Sequence, residues 1–182
     1  MAGTAAHLVD RVLPAAPVRQ YVLAFPYELS GLAATRPDVL RALSRLFWEG
    51  LRRRYARWAK GAGVAKARVE TGAVTGVHRA GASLNVHVHF HVLCLDGVYV
   101  EAEDSTLRFE PAPAPSHAEL QETLAYVYAR VVSWLARRGL LRDEHASNVT
   151  AGLRGSHFHQ NHRCPGPRRG RGAGFAPEYG EA

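Results

Sequence analysis

The sequence predicts an α+β chain: strands joined by short turns, long amphipathic helices beside them, and a disordered tail. Three observations carry this. Residues 84–97 (Leu-Asn-Val-His-Val-His-Phe-His-Val-Leu-Cys-Leu-Asp-Gly) alternate with a strand's period of two. Residues 35–61 and 116–138 instead repeat their apolar positions at helical spacing. After about residue 143 the composition shifts to Gly, Arg, His and Pro, with no sustained apolar period, which divides the chain into a folded part at 1–142 and a tail at 143–182.

Each element has its own local reason. Residues 3–12 suit a short helix with Thr4 as N-cap, broken by Pro14 and Pro17. Arg19 to Phe25 reads as a strand closed by Pro26. Thr35, with Asp38 three positions on and Pro37 in the first turn, reads as the capping box of a long helix. Its core stripe is Val39, Leu40, Leu43, Leu46, Phe47, Leu51, Tyr55 and Trp58, and Gly61 ends it. Arg68 to His78 reads as a second strand, and 79–83 as a turn back into the histidine strand. Asp96-Gly97 is a hairpin signal, with Val98 to Val100 returning, and Thr106 to Phe109 adds a short strand. Pro111, Pro113 and Pro115 stiffen a linker. Ser116 and Glu119 form a capping box that launches a helix through Arg138, with Gly139 as its C-cap.

The histidine strand carries the chemistry. Alternation places His87, His89 and His91 on one face and Val86, Val88, Phe90 and Val92 on the other. Side chains at i and i+2 lie about 7 Å apart, so two imidazoles can converge on one divalent cation. Across i to i+4 the distance is about 13 Å, so His87 and His91 cannot share an ion unless the strand bends. On spacing alone, a metal site and a row of structural or solvated histidines both stand.

Charge points to a partner. The 182 residues carry 23 Lys+Arg against 16 Asp+Glu, a formal net charge of +7. That balance favours a polyanion, with nucleic acid first. The cationic face of the first long helix (Arg41, Arg45, Arg52, Arg53 and Arg57) suits bidentate phosphate contacts, or is simply solvated. Cys94 and Cys164 imply no disulfide framework. No apolar run is long enough to span a bilayer, and no signal-peptide layout opens the chain, so the expected location is cytoplasmic.

Several motifs stand in one order: Thr4-Ala-Ala-His-Leu-Val-Asp10, Pro17-Val-Arg-Gln-Tyr-Val-Leu23 with Phe25-Pro26, Thr71-Gly-Ala-Val-Thr75, Leu84-Asn85, His89-Phe-His91 and Leu95-Asp-Gly-Val-Tyr99. Together they resemble the two-tyrosine HUH transposases of rolling-circle insertion sequences, over roughly residues 4–142. The resemblance implies a central antiparallel sheet with flanking helices, with His89 and His91 as the His–hydrophobic–His pair on a central strand. It implies Mg²⁺ or Mn²⁺ on that pair, single-stranded DNA as partner, and no nucleotide cofactor. The ion would polarise a scissile phosphate, and a tyrosine would attack it to leave a 5′-phosphotyrosine link and a free 3′-OH. A third protein ligand is usual in that fold. His78 is the first candidate, because the turn at 79–83 would return it beside the histidine strand, and His87 is the second.

The chain also departs from that family. The paired tyrosines of full-length members lie beyond the matching residues, and a cysteine-rich zinc module precedes the Thr4 segment, so the reading is a fragment truncated at both ends. Tyr126 and Tyr128 are weak nucleophile candidates, since i and i+2 on a helix point about 200° apart. The tail holds a second His-Phe-His at His157, Phe158 and His159, followed by His162 and Cys164. These residues are either a compact Zn²⁺ loop or accidental clustering, with no strand expected around them. The alternative function is a non-catalytic, basic module that binds single-stranded nucleic acid.

Overall fold

The computed structural model describes residue 7 and residues 11–64, 69–80, 86–101, 105–141 and 158–160. Among these the order is β1 (Val18–Ala24), α1 (Tyr27–Thr35), α2 (Pro37–Gly61), β2 (Ala73–Ala80), β3 (Val86–Leu95), β4 (Gly97–Glu101), β5 (Leu107–Pro111), α3 (His117–Arg137) and β6 (Phe158–Gln160). The main sheet runs β2-β3-β1-β6, with every pairing antiparallel, and β4 and β5 form a separate two-stranded sheet. The architecture is the α+β arrangement expected: an antiparallel sheet with flanking helices.

Strand β3 sits in the middle because its alternation allows it. Val88, Phe90, Val92 and Cys94 are buried on one face, and His87, His89, His91 and Leu93 are half-buried on the other. The helices cover the apolar face. Phe90 meets Phe25 edge-on at 5.0 Å and stacks near Phe47 of α2 at 6.5 Å between ring centroids. Leu43, Leu46, Leu51 and Tyr55 of α2 join Leu124, Val127, Val131 and Leu135 of α3 in the same core. Burying each large apolar side chain contributes roughly 1.5–3 kcal/mol.

Helix α3 follows its sequence signals. The Ser116 side chain accepts from the Glu119 backbone N–H at 3.2 Å, and the Glu119 carboxylate accepts from the Ser116 N–H at 2.7 Å. At the other end Gly139 takes a positive φ of 63°, where a side chain would be strained.

Three expectations change. Residues 27–35 form a helix that carries no strong apolar period, so Thr35 ends α1 instead of capping α2. Its Oγ1 donates back to the carbonyls of Gly31 and Leu32. The N-cap of α2 is Arg36, whose guanidinium is clamped to Asp38.

Asp96-Gly97 does not fold β4 back onto β3. Asp96 turns its carboxylate inward, where Arg19 grips both oxygens at 2.9 and 2.7 Å, and β4 pairs with β5 instead. Gly97 serves close approach, since a Cβ there would lie 2.1 Å from the Glu110 carbonyl oxygen.

Residues 158–160, around which no strand was expected, pair antiparallel with β1 as an edge strand. Thr4 and the rest of residues 143–182, including His157, His162 and Cys164, lie outside the described residues.

Candidate metal centre

The centre is built on the sheet face turned away from the helices. Alternation along β3 supplies His89 and His91, and antiparallel pairing supplies the third imidazole. His78 of β2 stands directly opposite His89 in the register. The ligand atoms of His78, His89 and His91 all lie within 4.8 Å of one another. His89 and His91 are half-buried, and His78 is exposed.

Glycine shapes the cluster. Gly76 stands opposite His91, so no side chain fills the place next to that ring. The His78 ring comes within 4.4 Å of the His91 ring, closer than the 5.0 Å to its own register partner His89. A Cβ at Gly76 would meet nothing nearer than the His91 carbonyl oxygen at 3.7 Å, so the gap is real space on the histidine face.

Hydrogen bonds orient the rings. His89 Nδ1 lies 3.0 Å from the backbone carbonyl of His87. A carbonyl can only accept, so Nδ1 carries a proton, and in the neutral ring the lone pair for an ion is then on Nε2. The Gln20 amide nitrogen Nε2 lies 2.6 Å from His91 Nδ1. The His91 pKa is lowered from its ordinary value, first by burial and then by the charges of His78 and His89, which favours the neutral ring that a ligand must be. The donor set fits a divalent cation: three imidazoles, with solvent on the His78 side.

His87 stays outside the cluster. Its ring lies 5.4 Å from that of His89, and its carbonyl serves as the orienting acceptor. Both tyrosine candidates lie on α3, on the Phe90 side of the sheet. Tyr128 is buried in the core, and Tyr126 packs under the guanidinium of Arg53 at 4.9 Å. The α2 arginines are also on that side, because α2 buries its apolar stripe against Phe90 and turns Arg41, Arg45, Arg52, Arg53 and Arg57 to solvent. Arg45 pairs with Glu49 and Arg57 with Glu122.

Two more tyrosines belong to a buried relay. Arg54 donates to Tyr21 at 3.4 Å, and Tyr55 donates to Asp96 at 3.3 Å. With its own proton committed to Asp96, Tyr55 accepts from Tyr21 across their 3.0 Å contact. Burial raises both phenol pKa values, and neither ring is exposed, so these tyrosines brace the core rather than offer a nucleophile.

Gln20 and Gly76 are the site-shaping residues that sequence reasoning missed. Gln20 had one signal, a long amide at an outward position of β1 on the face that pairs with the histidines.

A family model described as "Putative transposase" (Y2_Tnp) matches residues 72–165, just over half of the chain. The matched stretch contains His78, His89 and His91 and starts after α2. No curated protein and no solved structure matches the chain. No helix among the described residues is long and apolar enough to cross a membrane.

Proposed function

The chain belongs to this transposase family, and from that premise we propose that it performs DNA transposition by metal-dependent nicking and joining of single-stranded DNA, as rolling-circle transposases of the HUH type do. The observation that carries the reading is the convergence of His78, His89 and His91 on one sheet face, with Nε2 of His89 left free by its carbonyl bond. A bound Mn²⁺ or Mg²⁺ would polarise the scissile phosphate. Three nitrogen donors favour Mn²⁺ of the two, because Mg²⁺ prefers an all-oxygen shell.

The protein's own part is positional. β3 fixes two imidazoles at a strand's spacing, β2 brings the third across the hairpin, and the glycine gap at residue 76 leaves them room to close. The sheet face away from the helices is where a single strand would lie. A tyrosine oxygen would then attack phosphorus, forming a phosphotyrosine bond and expelling the 3′-oxygen. The phosphodiester energy is kept for rejoining, so no nucleotide cofactor is required. That role is assigned to neither Tyr126 nor Tyr128, which lie across the sheet from the triad.

The same placement favours a second reading, metal-dependent capture of single-stranded DNA without cleavage. A labelled single-stranded oligonucleotide incubated with the protein and Mn²⁺ separates the two. A covalent protein–DNA adduct that chelator or His89→Ala abolishes supports nicking. Retention without an adduct, released by chelator, supports capture. Binding indifferent to chelator and to His89→Ala overturns both.

A further inference from the structure

We propose that the groove between α2 and α3 is a second binding site for single-stranded nucleic acid, holding one phosphate on Arg53 and Arg54 and one base against Trp58. It lies on the helical side of the sheet, apart from the imidazole cluster, and needs no metal ion.

The groove has a volume of about 410 Å³, within the roughly 300–1,000 Å³ of ligand pockets. Helix α2 lines it with Arg53, Arg54, Arg57 and Trp58, and α3 with Glu119, Glu122 and Tyr126. The spacing i, i+1, i+4 and i+5 puts the four α2 residues on one side of that helix. At the Gly50 end the helices touch, since a side chain on Gly50 would collide with Val127.

The charges along the groove do not cancel. Glu122 is paired with Arg57, and Glu119 accepts from the Ser116 backbone N–H at 2.7 Å. Arg53 is exposed and lies over the Tyr126 ring at 4.9 Å. Arg54 is only 6% exposed, and neither of its hydrogen bonds goes to a carboxylate. One reaches the Tyr21 hydroxyl at 3.4 Å and the other the Pro113 carbonyl at 3.5 Å. Its Nε has no hydrogen-bond partner among the described residues. A guanidinium withdrawn from water without an anion is costly, so a phosphate beside it gains most. Trp58 and Tyr126 are half-buried, and cations interleaved with such rings suit the phosphates and unpaired bases of a single strand. An acidic peptide would use the arginines but not the rings. Of Arg41, Arg45, Arg52, Arg53 and Arg57, only the last two line the groove, and Arg54 joins them.

The test uses the full chain in excess chelator, with a labelled oligothymidylate as the probe and fluorescence anisotropy as the readout. The wild type is expected to bind with a Kd of about 10⁻⁴–10⁻⁶ M at physiological salt, weak enough that chelator still releases a strand held mainly by the ion. His89→Ala is expected to bind equally well here, which separates this site from the metal centre. Trp58→Ala is expected to weaken binding by about 5–150-fold, the loss of one base stack, whereas Trp58→Phe keeps a ring and most of the affinity. Arg53→Gln is expected to lower the log–log salt slope by about 0.7, and the exposed Arg137→Gln, outside the groove, to leave it unchanged. Four results would each overturn the proposal: a wild type that binds no strand in chelator, a Trp58→Ala protein that binds as the wild type does, a Trp58→Phe protein as weak as Trp58→Ala, or an Arg53→Gln slope equal to that of the wild type. Displacement of the probe by polyglutamate as readily as by unlabelled oligothymidylate would also overturn it, in favour of an acidic peptide.

Discussion

His89 and His91 are two residues apart on one strand, and that spacing alone does not make a site. Three local features make them a candidate: His78 directly opposite His89, the absent side chain at Gly76, and the His87 carbonyl beside His89 Nδ1. Each can be tested separately. Gly76→Ala places its methyl at ordinary contact distance and is expected to be tolerated, whereas Gly76→Val extends two further branches into the open space on the histidine face. Mn²⁺ titration of the valine variant is expected to show about tenfold weaker binding, with the thermal midpoint nearly unchanged. Equal affinity would mean that the gap plays no part. Inside the core, the sensitive residue is Asp96, gripped by Arg19 and reached by Tyr55. Asp96→Ala strands a buried guanidinium, and urea unfolding is expected to record a loss of about 3–5 kcal/mol.

At the scale of elements, legibility followed how local the cause is. Helix α3 could be read whole from Ser116, Glu119, the apolar stripe and Gly139, because caps and periodicity are written within one segment. Ser116→Ala is expected to cost about 1 kcal/mol in a denaturant titration. The cap also gives a pH dependence of known sign. The Glu119 carboxyl is held below its ordinary pKa, chiefly by the Ser116 backbone N–H, so its contribution is present above the usual glutamate range and lost as pH falls through the lowered value. Glu119→Gln, which removes the titrating carboxyl, should therefore flatten the acid limb of the stability profile.

Helix α1 could not be read, because Ser30 and Gly31 interrupt it and packing of Leu29 and Ala33 holds it. The Asp96-Gly97 pair misled for a related reason. It has the chemistry of a hairpin, but a distant arginine claims the aspartate, and the glycine is needed where β5 crosses within 3 Å of its Cα substituent. Gly97→Ala is expected to destabilise the protein by about 3 kcal/mol by overpacking, whereas a plain hairpin glycine would give a smaller loss. The triad fell between these cases. Its β3 pair was visible in the alternation and His78 in the expected turn-back, but Gln20 and Gly76 required the register.

For the whole molecule, the sheet is a partition. The imidazole cluster occupies one face, and α2, α3 and their arginines occupy the other. Among the described residues, the α2 arginines therefore stand away from the candidate centre. A strand held at the triad would have to wrap an edge of the sheet to reach Arg41 or Arg52. If it does, Arg41→Gln with Arg52→Gln is expected to lower the salt dependence of single-strand binding by about 0.7 in log–log slope per lost phosphate contact, without changing Mn²⁺ affinity. An unchanged slope would mark these arginines as a solvated face.

The central claim is that three imidazoles from β2 and β3 hold one divalent ion. Calorimetric titration of Mn²⁺ into the full chain tests it most directly, alongside His78→Ala, His89→Ala and His91→Ala. One ion per wild-type chain is expected and, for each variant, binding weakened by about tenfold or more. A wild-type chain without uptake, or three variants that bind as the wild type does, would contradict it.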